Sequence, residues 1–457
     1  MTEAMGLTGL ANSAAAWGDY DNDGWPDLYV EGQLWHNDAG RRFTRVPGLP
    51  LAGTGIWGDF DNDGFLDLFC WGPGGFKLFR NLAGKGFADV SDRLPKLPMS
   101  VCRGAAWGDF NADGRLDLYV GGYEQENTHA PQPSALLLAD GRSGFSLAWQ
   151  TPGRPYPARG IAVADYNEDG RPDVYVSNYR LAPNLLLRNE GRGFRDVAVD
   201  AGVAGEAKPE GTFGHTIGSA WGDFDNDGRL DLFVGNFSHP PAWQDRSKFY
   251  RNLGPAGQWR FEDLSARAAL AWQESYASPA LADFDNDGAL DLFFSTVYPR
   301  DHAVLYRNLT HWRFVDVTSE SGIAAALTYQ AAWADFDNDG RLDLVTGGRL
   351  FRNAMPGRHW LKVRLAGDGK ALPRTPIGAQ VRLRLAGETL TRQVEGSTGE
   401  GNQNDLTLHF GLGVSPGPIR LEIRWPNGAA QEAPATPDQT LTIPYAPGPA
   451  TRPARPS

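Results

Sequence analysis

The nine-residue pattern Asp-x-Asp/Asn-x-Asp-Gly-x-x-Asp occurs seven times in this chain, opening at Asp19, Asp59, Asp109, Asp165, Asp223, Asp283 and Asp335. Recurrence every 40 to 60 residues identifies an array of similar units, each too small to bury a core alone.

In the first copy Asp19, Asp21, Asp23 and Asp27 stand at positions 1, 3, 5 and 9, and Gly24 stands at position 6, where the backbone must reverse. Copy two offers Asp59, Asp61, Asp63 and Asp67; copy five, Asp223, Asp225, Asp227 and Asp231. Copy six offers Asp283, Asp285, Asp287 and Asp291; copy seven, Asp335, Asp337, Asp339 and Asp343. Copies three and four replace one carboxylate by an amide, giving Asp109, Asn111, Asp113, Asp117 and Asp165, Asn167, Asp169, Asp173. Position 7 varies among Trp25, Phe65, Arg115, Arg171, Arg229, Ala289 and Arg341, which suits a ligand given by the backbone carbonyl. Such an oxygen-only donor set is hard-cation chemistry, so the expected cofactor is Ca²⁺, up to seven ions.

An EF-hand loop would end in a bidentate glutamate at position 12 and enter a helix. Here position 12 is apolar (Val30, Cys70, Val120) and lies in a β-type run such as Asp-Leu-Tyr-Val, so each loop joins two short strands. Two more strands follow in most units, as in Leu78-Phe79-Arg80-Asn81 and Phe87-Ala88-Asp89-Val90. The expected fold class is all-β: a seven-bladed β-propeller with calcium loops between strands 1 and 2 of each blade, followed by a small β-sandwich-like domain.

Residues 1 to 356 resemble FG-GAP/VCBS-type repeats, as in the integrin-α propeller and many bacterial surface and secreted proteins. The remainder resembles an ASPIC/UnbV domain through Ile377-Gly378-Ala379-Gln380-Val381, Val394-Glu395-Gly396, Leu408-His409-Phe410-Gly411-Leu412-Gly413 and Ile423-Arg424-Trp425-Pro426-Asn427-Gly428. The combination is similar to the cartilage-acidic-protein-like (CRTAC1-like) group, which implies calcium binding and an extracellular or periplasmic location. One stretch departs from the family: its Gly-Tyr-x-Ser-Gln becomes Gly399-Glu400-Gly401-Asn402-Gln403, keeping the final glutamine but neither the tyrosine nor the serine. The domains expected are a propeller over 1–356, an ASPIC/UnbV-like β domain over 357–446, and a disordered Pro/Ala/Arg-rich tail over 447–457.

The net charge of -12 argues against a nucleic-acid partner. The seven motifs hold 26 aspartates, a large share of the 55 acidic residues, so seven bound Ca²⁺ would bring the net charge to about +2. No apolar run is long enough for a membrane span. The two cysteines, Cys70 and Cys102, fall in consecutive repeats; buried thiols are the first reading and a disulfide the second. No signal peptide stands at the N-terminus, and Met1 to Leu7 aligns with the segment after Val317, as though the sequence started inside a repeat. The seventh blade would then be closed either by an N-terminal strand or by His359-Trp360-Leu361-Lys362-Val363, and the second is favoured.

The calcium-free face carries the loops that differ. Blades 3 to 6 have longer connections between strands 2 and 3, including Tyr123 to His129, Asn178-Tyr179-Arg180, Asn236-Phe237-Ser238-His239 with Trp243-Gln244-Asp245-Arg246, and Tyr298 to His302. The loops entering these blades add Tyr156, Arg159, Phe213, His215, Trp272, Glu274 and Tyr276. Such a mouth suits a protein, glycan or small ligand. Ordinary exposed loops are the plain alternative, and an enzyme of lyase or cyclase type in the mouth is the third reading. Its acid/base candidates are His215, His239 and His302, with Tyr179, Arg180 and Tyr276 as orienting or charge-stabilising groups. Trp17, Trp57, Trp107, Trp221 and Trp333, each two residues before a loop, are read as blade packing. The Arg-Asn pairs such as Arg80-Asn81 are read as ties of the outer turns, and His409 as a hydrogen-bonded core residue.

Overall fold

The computed structural model describes residues 2–141, 144–191, 193–208, 211–239, 245–385, 387–414 and 417–446. The expected tail over 447–457, together with Trp243 and Gln244, lies outside the described residues.

Every repeat folds as the alternation of short apolar runs and Asp/Gly loops dictates. Sheet 1 is built in sequence order from Ala15–Gly18, Asp27–Val30, Gln33–Asn37 and Phe43–Arg45, all antiparallel. Five further four-stranded sheets repeat this order, with first strands Thr54–Gly58, Ala105–Gly108, Ala158–Ala164, His215–Gly222 and Tyr276–Ala282. Sheet 7 has three strands among the described residues, Ala332–Ala334, Asp343–Thr346 and Arg349–Phe351. Each first strand packs against the first strand of the next sheet, and Ala332–Ala334 packs against Ala15–Gly18, so the series closes on itself.

Two repeated side chains hold neighbouring sheets together. The buried indoles of Trp57, Trp107, Trp221 and Trp333 each donate Nε1–H to a carbonyl on the preceding sheet's first strand, at 3.3–3.4 Å. Trp17 donates to the Ala332 carbonyl and closes the ring. The asparagines of the Arg-Asn pairs reach the same neighbours. Asn81, Asn189, Asn252, Asn308 and Asn353 donate Nδ2–H to the position-2 carbonyls of the preceding loops, Tyr20, Phe110, Tyr166, Phe224 and Phe284. Asn37 donates to Phe336 across the closure, at 2.8 Å. These asparagines tie sheet to sheet, and Ala139 breaks the series in sheet 3.

The segment His359–Ala366 does not close the seventh sheet, contrary to the expectation. It lies between Leu408–Gly413, antiparallel, and Gln439–Pro444, parallel. A second, antiparallel sheet runs Glu388–Gln393, Gln380–Leu385, Ile419–Arg424 and Ala430–Ala435. Leu361 and Val363 point into a shared core with Val381, Leu383, Phe410, Leu421, Ile423 and Trp425. The alternation of Leu361, Val363 and Leu365 correctly signals a strand, but a strand's pattern does not name its partner sheet.

Both cysteines are free and buried: the Cys70 thiol lies 3.3 Å from the Tyr29 hydroxyl, and Cys102 donates to the Gly104 carbonyl. No helix among the described residues is long and apolar enough to cross a membrane.

Candidate functional site

All seven loops share one backbone design. Position 4 is left-handed in every copy (Asn22, Asn62, Ala112, Glu168, Asn226, Asn286, Asn338; φ 52° to 60°), and so is the position-6 glycine (φ 82° to 97°). Two left-handed residues so close curl the chain around the first carboxylate, and glycine takes the second at no steric cost. The position-1 aspartate accepts the N–H groups of positions 5 and 6, as Asp19 does from Asp23 and Gly24 at 3.0 Å. The position-9 aspartate, fully buried, accepts a backbone N–H of the third strand, that of the asparagine in six sheets, as Asp27 does from Asn37 at 2.8 Å, and that of Ala139 in sheet 3.

These bonds leave oxygens unused where a cation would sit. Asp21, Asp225 and Asp337 at position 3 each keep a buried Oδ1 with no hydrogen-bond partner, and Asp173 and Asp343 at position 9 keep a buried Oδ2. Carboxylate oxygens of Asp19, Asp21 and Asp23 lie within 4.8 Å of one another, as do those of Asp59, Asp61 and Asp67, of Asp223, Asp225 and Asp227, and of Asp283, Asp285 and Asp291. Burial raises these groups: Asp19 to about 6, Asp59 and Asp283 to about 7, and Asp117 to about 8. Orphaned, desolvated carboxylate oxygens converging on one point fit a hard divalent cation, which position 1, 3, 5 and 9 side chains could hold. The arginines of the Arg-Asn pairs face the same carboxylates: Arg80, Arg251, Arg307 and Arg352 reach Asp63, Asp227, Asp287 and Asp339 at 3.0–3.2 Å.

The C-terminal sheets sit directly on this loop face, an arrangement not anticipated from sequence. Lys362 Nζ donates to Asp335 Oδ2 at 2.9 Å, and Arg364 lies 3.2 Å from Asp19. The backbone N–H groups of Thr391 and Gly411 donate to Asp223 and Asp283 at 3.0 and 2.9 Å. Four position-1 carboxylates are thus read by one domain. The approach is close: a Cβ on Gly114 would fall 2.2 Å from the Lys370 carbonyl oxygen.

From that domain the segment between Gln393 and Leu408 runs through the centre of the ring. First strands have a free inner edge whose N–H and C=O groups would otherwise be buried unpaired. Gln403 satisfies two sheets at once: its backbone pairs with Ala15 and Trp17, and its side chain accepts from Trp57 N–H and donates to Trp57 C=O at 2.7 and 3.1 Å. Asn402 Oδ1 accepts from Ala15 and Ala331, Asn404 Oδ1 from Trp333, and the Gly399 carbonyl accepts from Ile161 N–H. The glutamine kept from the family's stretch is therefore the residue that bridges sheets 1 and 2.

The tip of this segment emerges at the opposite face, among the mouth residues. Glu400 (7% exposed) forms an ion pair with Arg159 (9% exposed) of sheet 4. The Arg159 guanidinium lies 4.9 Å over the Tyr179 ring, 5.1 Å over Tyr329 and 5.8 Å over Phe237. Burial works most strongly against its charge, but Glu400, Tyr329 and Tyr123 together outweigh that and hold it cationic. Around the pair, His215 stands 4.8 Å from the Tyr179 ring and 5.2 Å from His239, whose ring lies 5.8 Å from Tyr298. His239 Nδ1 lies 2.7 Å from Glu274 Oε1. Burial, then His239 and the two nearby arginines, push His215 down to about 4, so it is neutral at pH 7. Arg180 is held by both oxygens of Glu124, at 2.8 and 3.1 Å.

Of the six catalytic candidates read from sequence, the fold brings together His215, His239, Tyr179 and Arg180. It leaves two outside. Tyr276 is buried, stacks 4.4 Å from Phe294 and hydrogen-bonds Tyr306 and Ala271. His302 is exposed at a turn, where its backbone pairs with the Gln273 side chain. Register shifts at Ala158/Gly160, Thr216/Gly218 and Tyr276/Pro279 bend the mouth ends of the first strands of sheets 4 to 6. Glu400 and Tyr329 were missed; the signal available was a carboxylate standing where the family carries tyrosine.

Family comparison agrees with this anatomy. Residues 59–120, 223–294 and 283–346 match the FG-GAP-like repeat, and residues 369–450 match ASPIC and UnbV. The chain is thus an FG-GAP-repeat protein with a C-terminal ASPIC and UnbV domain. It is similar to cartilage acidic protein 1 of Mus musculus, 28% identical over 294 residues covering 59% of this chain and 42% of that protein. The Homo sapiens relative is also 28% identical, over 59% of this chain and 41% of its own length. The chain accordingly spans about two fifths of these relatives. Among solved structures, an Agrocybe aegerita lectin recognising non-reducing terminal N-acetylglucosamine aligns at TM-score 0.43 and 14% identity, over 75% of this chain and 94% of the lectin. A V. cholerae biofilm matrix protein aligns at TM-score 0.37 and 10% identity, over 76% and 88%.

Proposed function

We propose that residues 1–356 form a calcium-stabilised seven-bladed propeller, capped on its calcium face by residues 357–446, that works outside the cytoplasm as a binding module. Its ligand, a protein, glycan or small molecule, would enter the calcium-free mouth over blades 3 to 6. The observation that supports this most is the Arg159–Glu400 pair at the mouth floor, ringed by Tyr179, Tyr329 and Phe237. Polar groups fixed this firmly beside the half-buried rings of Tyr179 and Tyr329 suit recognition of a ligand that is partly apolar and partly hydrogen-bonding. The calcium ions would serve structure, with one position-7 carbonyl and four side chains per loop as donors.

An array of glycans and extracellular proteins, probed with calcium-loaded protein, tests this reading. A hit retained by wild type and lost in His215→Ala/Tyr179→Phe, with calcium content unchanged, is the expected result. Hits insensitive to the double variant would remove the mouth from the account. The enzyme reading, of lyase or cyclase type, draws on the His239–Glu274 contact beside a neutral His215, a pair suited to proton transfer. Consumption of a bound small molecule, abolished by His239→Ala, would favour it.

A further inference from the structure

A groove of about 550 Å³ opens at the mouth-side end of sheet 5, between the start of strand Lys248–Asn252 and residues 269–273, the connection into sheet 6. Among the described residues its lining includes Tyr276, which the fold leaves outside the mouth, but none of Arg159, Tyr179, His215 and His239. Its most exposed apolar group is Trp272. A single exposed apolar side chain is ordinary on a protein surface, but the backbone on both sides of this one is anchored. The Ala271 N–H donates to Tyr306 Oη at 3.1 Å, and its carbonyl accepts from Tyr276 Oη at 2.9 Å. The Gln273 side chain donates to the His302 carbonyl at 2.9 Å and accepts the His302 N–H at 2.8 Å. The indole between these anchors is 45% exposed, so a ligand meets a platform that is already ordered.

Two polar groups of the groove are unspent. Ser238 is 2% exposed and lines the groove, yet its Oγ has no hydrogen-bond partner. A buried hydroxyl in that state calls for a partner from outside the chain. Arg246 is exposed, and its guanidinium meets no carboxylate among the described residues. The other two cations of the groove are committed. Lys248 Nζ lies 3.1, 3.3 and 3.6 Å from Asp263, Asp245 and Glu206, and Lys208 Nζ lies 3.2 Å from Glu206. The groove therefore offers an aromatic face, a hydroxyl and a guanidinium that the protein itself does not use.

We propose that this groove binds an acidic saccharide, at a site separate from the mouth. A pyranose ring presents a face of C–H groups that packs on an indole, and hydroxyls that can partner the Ser238 Oγ. A sugar carboxylate matches the planar fork of Arg246, which can hold both oxygens at once. A neutral sugar would leave that guanidinium unmatched, and a purely apolar ligand would leave the serine stranded. The site uses none of the residues around the Arg159–Glu400 pair, so it stands whether or not the mouth takes a ligand.

The test titrates the full chain, with calcium present, against labelled oligosaccharides containing galacturonate, glucuronate, guluronate or sialate, each beside its neutral counterpart. Saturable binding of at least one acidic member is expected, at least tenfold tighter than its neutral counterpart. Trp272→Ala and Arg246→Glu should each weaken it at least tenfold, and Ser238→Ala at least threefold. All three should melt as wild type does, since none removes an internal side-chain hydrogen bond of the described residues. Binding of no acidic member, equal binding of the neutral counterpart, or binding insensitive to Trp272→Ala overturns the proposal. Binding lost in His215→Ala/Tyr179→Phe and kept in Trp272→Ala also overturns it, by seating the saccharide in the mouth and leaving the reading of the mouth intact.

Discussion

Glu400, carried through the ring by the C-terminal domain, meets Arg159 from the mouth end of sheet 4, so that a domain seated on one face of the ring places a carboxylate among the loops of the other. The two lie far apart in sequence and both are nearly buried. Each is therefore the other's compensation for lost water.

Removing one partner should be costly. Glu400→Ala leaves Arg159 desolvated without a counter-charge, and a loss of about 3–5 kcal/mol is expected. Combining it with Arg159→Met should recover much of that loss. A double-mutant cycle by chemical denaturation checks this, and additive losses would mean that the pair is not coupled.

Gln403→Ala should destabilise the ring by stranding the Trp57 N–H and C=O, at about 1–3 kcal/mol for each buried group left unpaired. Hydrogen exchange of the Trp57 amide should rise well above that of Trp221, which relies on no such side chain. Unchanged protection would show that the segment is dispensable to the sheets.

Seven loops, five tryptophans and the strand order were legible because each repeats, and repetition separates a rule from an accident. The central segment was not legible. Gln403 bonds Trp57 and Ala15 across most of the chain, and no local periodicity encodes such a contact. The misplacement of His359–Ala366 has the same origin. Lys362 and Arg364 gave a faint cue, since two cations on the polar side of a strand suit a surface rich in aspartate, here Asp335 and Asp19. Tyr276 and His302 were named for residue type alone, whereas which loop residues converge depends on strand length and bulges.

The aspartate loops set the pH response. Without metal, burial raises Asp59 to about 7 and Asp117 to about 8 from an ordinary 3.8, so the folded chain binds more protons than the unfolded one between those values. Metal-free protein should therefore gain stability as pH falls from 8 towards 4. Calcium-loaded protein should do the reverse, because protons compete for the same oxygens. Melting curves at pH 5 and 8, with EDTA and with calcium, check both signs.

Glu395 offers an independent pH test. Burial raises its carboxyl to about 8, with Asn404 a weaker opposing influence, so the folded state keeps it protonated where the unfolded state ionises it. Its contribution favours folding least above pH 8 and grows as pH falls towards 4.5. Glu395→Gln should flatten that part of the profile and stabilise the protein above pH 8. A profile unchanged by the substitution would assign the slope to other groups.

The most direct test of the account is native mass spectrometry across a calcium titration, paired with melting curves of the same samples. The account predicts mass steps approaching seven Ca²⁺ and a melting temperature that climbs with occupancy, since each ion bound only to the folded state adds stability. A saturated sample with no bound calcium and an unchanged melting curve in EDTA would contradict it.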